Sequence, residues 1–184
     1  MDNLKNKTTS ATAMNPLFDD RSTVLILGSL PGKKSLEKNE YYCDSRNHFW
    51  DLICYVCEER VLFNNYDEKK AFLSKHHIAL WDVLKAAERE GSKDENIKNG
   101  EFNNLDEFIR KYNIKVVCLN GGKANKLFIK YLKENNFKKE KLNYEIVPLT
   151  SSSQRNRWYS LHEKQEKWKE DLSAVIEHHR IFSN

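Results

Sequence analysis

The chain has 184 residues, with 31 Lys+Arg against 27 Asp+Glu, and that length accommodates one domain of roughly 150 residues and no second. Hydrophobic residues make up 39% and aromatics 11%, which provides for a packed core and excludes wholesale disorder; apolar runs such as 24–27 and 116–119 fall far short of the roughly 18 residues a membrane helix needs. The net charge of +4 is uneven, because residues 1–100 hold 15 Lys+Arg and 16 Asp+Glu whereas residues 101–184 hold 16 and 11, a split that hints at a polyanionic partner for the C-terminal part.

Residues 1–15 are rich in Lys, Thr, Ser and Asn and lack the apolar core of a secretory signal. Residues 1–20 are therefore read as a flexible tail ahead of one domain, 21–184, in a cytoplasmic, reducing setting. Thr23-Val24-Leu25-Ile26-Leu27, closed by Gly28, is a short buried strand. Residues 46–60 form an amphipathic helix, 67–75 a second, and 77–84 a strand with its exit. Ser92-Lys93-Asp94-Glu95 has the capping-box form, so a short helix is expected after it. Residues 105–112 are helical, 115–119 are a third strand ended by Asn120-Gly121-Gly122, and 123–134 are a helix with Lys123, Lys126, Lys130 and Lys133 on one side. That lysine side reads as a solvated face. A fourth strand spans 144–148, a polar loop 150–159, and a closing helix 161–177.

Strands alternating with helices predict a single-domain α/β fold, a three-layer αβα sandwich around a mostly parallel four-stranded sheet. Ligands bind such sheets at the carboxyl ends of the strands. Attention therefore falls on 28–32, Trp81-Asp82, Asn120-Gly121-Gly122 and 149–156.

Gly28-Ser29-Leu30-Pro31-Gly32-Lys33-Lys34-Ser35 approaches a phosphate-binding P-loop, which would make the chain a nucleotide kinase. It has three residues between its glycines where the P-loop has four, and a second Lys before the Ser. Cys54 and Cys57 have C-x-x-C spacing, but no second pair follows; with Cys43 and Cys118 they read as small core residues, and no metal or cofactor is expected. Tyr41-Tyr42-Cys43-Asp44-Ser45-Arg46-Asn47-His48-Phe49-Trp50 is a less common combination. Asn47 at a helix start is either an N-cap or a catalytic amide; Tyr42 is either a stacking platform or core; Asp82 either reads a ligand or caps the following turn.

Taken in order, Gly28-Ser29-Leu30-Pro31-Gly32, Tyr41-Tyr42, Arg46-Asn47-His48-Phe49-Trp50, Ile78-Ala79-Leu80-Trp81-Asp82-Val83-Leu84, Asn120-Gly121-Gly122-Lys123-Ala124 and Leu149-Thr150-Ser151-Ser152-Ser153, with Lys164 and Trp168 after them, resemble the uracil-DNA glycosylase superfamily, in particular its DNA-deoxyinosine (hypoxanthine-DNA) glycosylase branch. Thr150 and Gln154 stand where that pattern has prolines, and Asp44-Ser45 where it has His-Pro.

The resemblance implies a monofunctional enzyme that flips a deaminated base out of DNA and hydrolyses its N-glycosidic bond. Tyr42 would stack on the base, Trp81 and Asp82 would read its edge, and Gly28, Ser29, Leu30 and Pro31 would line the pocket. Leu30 and Leu149 occupy positions where other members carry an acid or amide and a His, so Asn47 would be the catalytic group, orienting water toward C1′. Ser151, Ser152 and Ser153 would grip phosphates, and Arg155, Asn156 and Arg157 would contact the DNA around a wedge formed by Arg155 or Trp158. The partner would be damaged, double-stranded DNA, met by a monomer. A non-catalytic DNA-binding or damage-sensing relative is the alternative, with the P-loop-like nucleotide kinase behind it.

Overall fold

A computed structural model describes residues 9–89 and 97–181. In chain order the elements are β1 (Thr9–Thr12), β2 (Val24–Gly28), α1 (Lys33–Lys38), α2 (Phe49–Val56), α3 (Tyr66–Lys75), β3 (Ile78–Asp82), β4 (Leu84–Arg89), β5 (Ile97–Phe102), α4 (Leu105–Lys111), β6 (Val116–Asn120), α5 (Gly122–Glu134), β7 (Glu145–Leu149) and α6 (Leu161–Ile181).

The four apolar runs pair as one all-parallel sheet in the order β3-β2-β6-β7. Because side chains alternate along a strand, two separate cores follow. Val24, Ile26, Ile78, Leu80, Val116 and Cys118 face α2, α3 and α6 through Phe49, Leu52, Ile53, Leu73, Trp168 and Leu172. Leu25, Leu27, Ala79, Val117 and Leu119 face α4 and α5 through Leu105, Phe108, Ile109, Phe128 and Tyr131. The expected three-layer α/β sandwich is the observed one, and the family of helices on each face explains why the strands are apolar on both sides.

Locally the structure departs from the expected elements. The tail expected over 1–20 lies outside the described residues only as far as residue 8. Thr9–Thr12 pairs antiparallel with β4, Met14 is buried, and Leu17 exchanges backbone hydrogen bonds with Leu80 at 2.9 and 2.8 Å. A few apolar anchors in a polar stretch thus cover the otherwise open edge of the sheet at β3. The capping box at Ser92 and the start of the helix expected after it fall within 90–96, outside the described residues; the next described segment, Ile97–Phe102, is a strand. It forms, with β1 and β4, a three-stranded antiparallel sheet that the sequence reading lacks. A short helix, α1, for which the sequence analysis gave no element, opens directly after Gly32, and the helix expected over 46–60 is confined to Phe49–Val56.

Candidate active site

The parallel sheet brings the ends of β2, β3 and β6 side by side, and the alternation that builds the core also builds the site. Two residues beyond the buried row Leu80, Ile26 and Cys118, the same face presents Asp82, Gly28 and Asn120. The residue type at the centre is dictated by space. A Cβ on Gly28 would lie 2.7 Å from Asp82 Oδ1 and 3.5 Å from the Tyr42 hydroxyl. Glycine thus lets a carboxylate and a phenol approach the end of the central strand together.

Asp82 is 3% exposed, and its backbone carbonyl accepts from Asn103 Nδ2 at 2.8 Å. Its charge acts on the neighbouring tyrosine: burial foremost, and then Asp82, push the Tyr41 phenol well above its ordinary range. Asn120 is the junction of the site. Its Nδ2 donates to the Tyr42 hydroxyl at 3.1 Å and to Ser152 Oγ at 2.9 Å, and its Oδ1 accepts from Ser152 N–H at 2.9 Å.

Tyr42 has a left-handed backbone, φ 53°, uncommon for a side chain of its size. Its contacts there include the hydrogen bond from Asn120 and a stack on Phe49 with ring centroids 3.9 Å apart and planes 9° apart. Phe49 begins α2 and is fully buried, so the platform is fixed from beneath. The turn before α2 is equally defined. Asp44 binds the Arg46 guanidinium at 2.8 and 3.1 Å and Lys34 at 3.3 Å, and chiefly the Arg46 hydrogen bonds hold its carboxyl well below the usual range. Asn47 Oδ1 then accepts the N–H of Phe49 at 3.0 Å. Asn47 therefore has a helix-starting role, although it stands one residue ahead of the cap position, which is His48, and its side chain is half-buried.

The loop after β7 is clamped against this unit. Gly121, φ 94°, passes so close to the loop that a Cβ there would lie 2.8 Å from Ser151 Cβ. The Ser152 carbonyl accepts from His48 N–H at 3.1 Å. From α6, Trp168 Nε1 donates to the Thr150 carbonyl at 2.6 Å and Lys164 Nζ to the Ser153 carbonyl at 3.0 Å. Lys164 and Trp168 stand four apart, on one face of the helix. Both are essentially inaccessible, and burial lowers the Lys164 ammonium from its ordinary value.

Of the residues singled out from the sequence, Gly28, Tyr42 and Asp82 come together, with Asn47 at the start of the adjoining helix. Trp81 does not join them: it lies on the opposite face of the sheet against Phe108, and its Nε1 donates to the Met14 carbonyl at 3.2 Å. Leu30 packs with Leu84 and Ala87 beneath the second sheet, while Ser29 and Pro31 are buried. Ser152 is 1% exposed and bound on both sides, so it ties the loop together. Ser151 and Ser153 are half-buried, Asn156 Nδ2 reaches the Ser151 carbonyl at 3.5 Å, and Arg155 and Arg157 are exposed beside Trp158, itself 90% exposed. The sequence reading gave no individual role to Asn120, His48 or Lys164. The one available signal was the spacing of Lys164 from Trp168, a lysine on an apolar helical stripe. Among the described residues no three His, Cys, Asp or Glu side chains converge as metal ligands, and no helix is long and apolar enough to cross a membrane.

Comparison with known proteins agrees with this fold. Residues 16–174 match the family model for the uracil DNA glycosylase superfamily. The chain is 35% identical over 165 residues to a hypoxanthine DNA glycosylase of Methanosarcina acetivorans, covering 88% of this chain and 95% of that protein. It is 36% identical over 156 residues to a hypoxanthine DNA glycosylase of Methanosarcina barkeri, covering 84% and 93%. The solution NMR structure of a uracil DNA glycosylase-like protein from Methanosarcina acetivorans superposes with a TM-score of 0.73 at 32% identity, over 94% of this chain and 99% of that one.

Proposed function

The chain belongs to the uracil DNA glycosylase superfamily, and from that premise we propose that it is a monofunctional DNA glycosylase that removes deaminated bases, hypoxanthine foremost and uracil second, from double-stranded DNA. The observation that carries the reading is the row Asp82–Gly28–Asn120 at the strand ends, with the Tyr42 hydroxyl against it.

A flipped base would stack on the face of Tyr42 that Phe49 leaves open, and the Asp82 carboxylate would accept a ring N–H. Deamination creates that donor: hypoxanthine has an N1–H and uracil an N3–H where adenine and cytosine have lone pairs. A buried carboxylate thus favours the deaminated base and opposes its parent. In the reaction the oxygen of water bonds C1′, the C1′–N bond breaks with its electron pair passing to the base, and the base leaves with a proton. The sugar passes through an oxocarbenium-like state. Asn47 would direct the water with its free lone pair and place a partial negative charge beside the developing cation. Gly28, Ser29, Leu30 and Pro31 would shape the pocket wall through their backbone. Ser151 and Ser153 would meet phosphates, and Arg155, Asn156 and Arg157 the flanking strand. We read the working unit as a cytoplasmic monomer.

The experiment is base release. Duplexes carrying one deoxyinosine, deoxyuridine or deoxyxanthosine are incubated with the protein, abasic sites are cleaved with alkali, and the free base is identified by chromatography. Cleavage is expected at deoxyinosine above all. Lesion-dependent binding without release of any base would replace this reading with that of a damage-sensing relative.

A further inference from the structure

Lys164 is 1% exposed, yet no carboxylate lies within 4 Å of its ammonium among the described residues. A buried charge without a counter-ion is costly and calls for a reason. Its two contacts supply one. Nζ donates to the Ser153 carbonyl at 3.0 Å and stands 3.5 Å from His48 Nδ1. An ammonium has only donors, so the nitrogen facing it must carry a lone pair. The ring proton then lies on Nε2, for which no partner is found among the described residues. A doubly protonated ring would set an N–H against the ammonium; accordingly burial, and then the Lys164 charge, lower the affinity of His48 for a second proton. His48 sits directly after Asn47, and its own backbone N–H holds the Ser152 carbonyl at 3.1 Å.

We propose that Lys164 is a positioning residue: it fixes His48 as the neutral Nε2–H tautomer and ties that ring to the Ser153 carbonyl, so that the serine loop and the Asn47 end of α2 close on the DNA as one unit. The outward Nε2–H is then a neutral donor for a phosphate of the flipped nucleotide. The donor rests on the DNA glycosylase reading; the tautomer does not.

The test therefore has two arms on the full chain. Imidazole nitrogen NMR of the parent protein at neutral pH is expected to show His48 with a protonated Nε2 and a bare Nδ1. A proton on Nδ1, or an imidazolium, overturns the proposal without any variant. In single-turnover base release, Lys164→Met is expected to slow excision by roughly tenfold or more through loop misplacement. Lys164→Arg should recover part of that rate, and the His48 signals of Lys164→Met should move toward a mixture of tautomers. A folded Lys164→Met whose rate stays within about twofold of the parent also overturns it. If the parent releases no base from any duplex, it is the glycosylase reading that fails, and the NMR arm still decides the tautomer.

Discussion

Asn47 holds two roles that one substitution would confound. Its Oδ1 starts α2 by accepting the Phe49 N–H at 3.0 Å, and Phe49 in turn supports Tyr42 from below. Asn47→Ala removes both the helix-starting acceptor and the amide. It is expected to cost about 1 kcal/mol of stability, the usual value of such an acceptor, and roughly 10²-fold or more in single-turnover base release. Asn47→Asp keeps an acceptor for Phe49, so its stability should stay near the parent's while its carboxylate can still bind water. Base release by the Asp variant should therefore exceed that of the Ala variant by far more than their stabilities differ. Urea unfolding alongside base release decides the point: a rate loss in Ala that merely follows its loss of folded protein, with Asp equal to the parent, would reduce Asn47 to a helix start. Gly28 illustrates the opposite case, a residue whose function is the absence of a side chain. A Cβ there would occupy the space 2.7 Å from Asp82 Oδ1.

The elements that carry the site differ in how openly the sequence declares them. Runs such as Val24-Leu25-Ile26-Leu27 and Val116-Val117-Cys118-Leu119 are apolar on both faces and end in glycine or Asn-Gly, so the parallel sheet and its ligand-facing edge are legible. Asp82 and Gly28 are legible because they stand at strand ends, whereas Tyr42, in the loop between α1 and α2, is legible only through the superfamily resemblance. The second sheet was not legible. Leu84–Arg89 reads Leu-Lys-Ala-Ala-Glu-Arg, a set of helix formers, and Ile97–Phe102 contains Asn-Gly; only pairing between distant segments makes them strands. Trp81 was misassigned to the pocket because strand alternation turns it, unlike Asp82, to the other face. The buried clamp of Lys164 and Trp168 on the serine loop is not legible for the reason that hides the second sheet, since its hydrogen bonds join α6 to the distant exit of β7. Gly121 is the counterpart of that clamp from the other side. Its φ of 94° and the 2.8 Å approach to Ser151 Cβ mean that Gly121→Ala must strain the backbone and push the loop away. A loss of about 1–3 kcal/mol is expected from the backbone alone, read as a lower urea midpoint with an unchanged slope. Base release measured well below the midpoint should also fall, because the displaced loop carries Ser151–Ser153. An Ala variant of parental stability would show that the loop yields freely and that the clamp described here is soft.

Charge is distributed over the molecule in a way that the net of +4 conceals. Near Asn47 the basic groups are partly neutralised, since Arg46 and Lys34 share the single carboxylate of Asp44 at 2.8 and 3.3 Å. Beyond the serine loop, Arg157 is exposed, and no carboxylate lies within 4 Å of it among the described residues. The lysines of α5 form another basic face, but Lys130 pairs with Glu134 at 3.5 Å, and Lys133 sits in the last turn, away from the strand ends where the helix begins. If DNA lies across the carboxyl edge of the sheet, these groups must differ in the counterions they displace. Each phosphate neutralised contributes about −0.9 to the slope of log K against log salt. Arg157→Ala should therefore weaken duplex binding and flatten that slope by about one, equally for lesion and undamaged duplexes, because a phosphate contact carries no sequence information. Lys133→Ala should leave both affinity and slope unchanged. Fluorescence anisotropy over a salt series reads both quantities. A flattened slope in Lys133→Ala with none in Arg157→Ala would move the DNA from the sheet edge to the flank of α5, and with it the assignment of the serine loop as the element that grips the backbone.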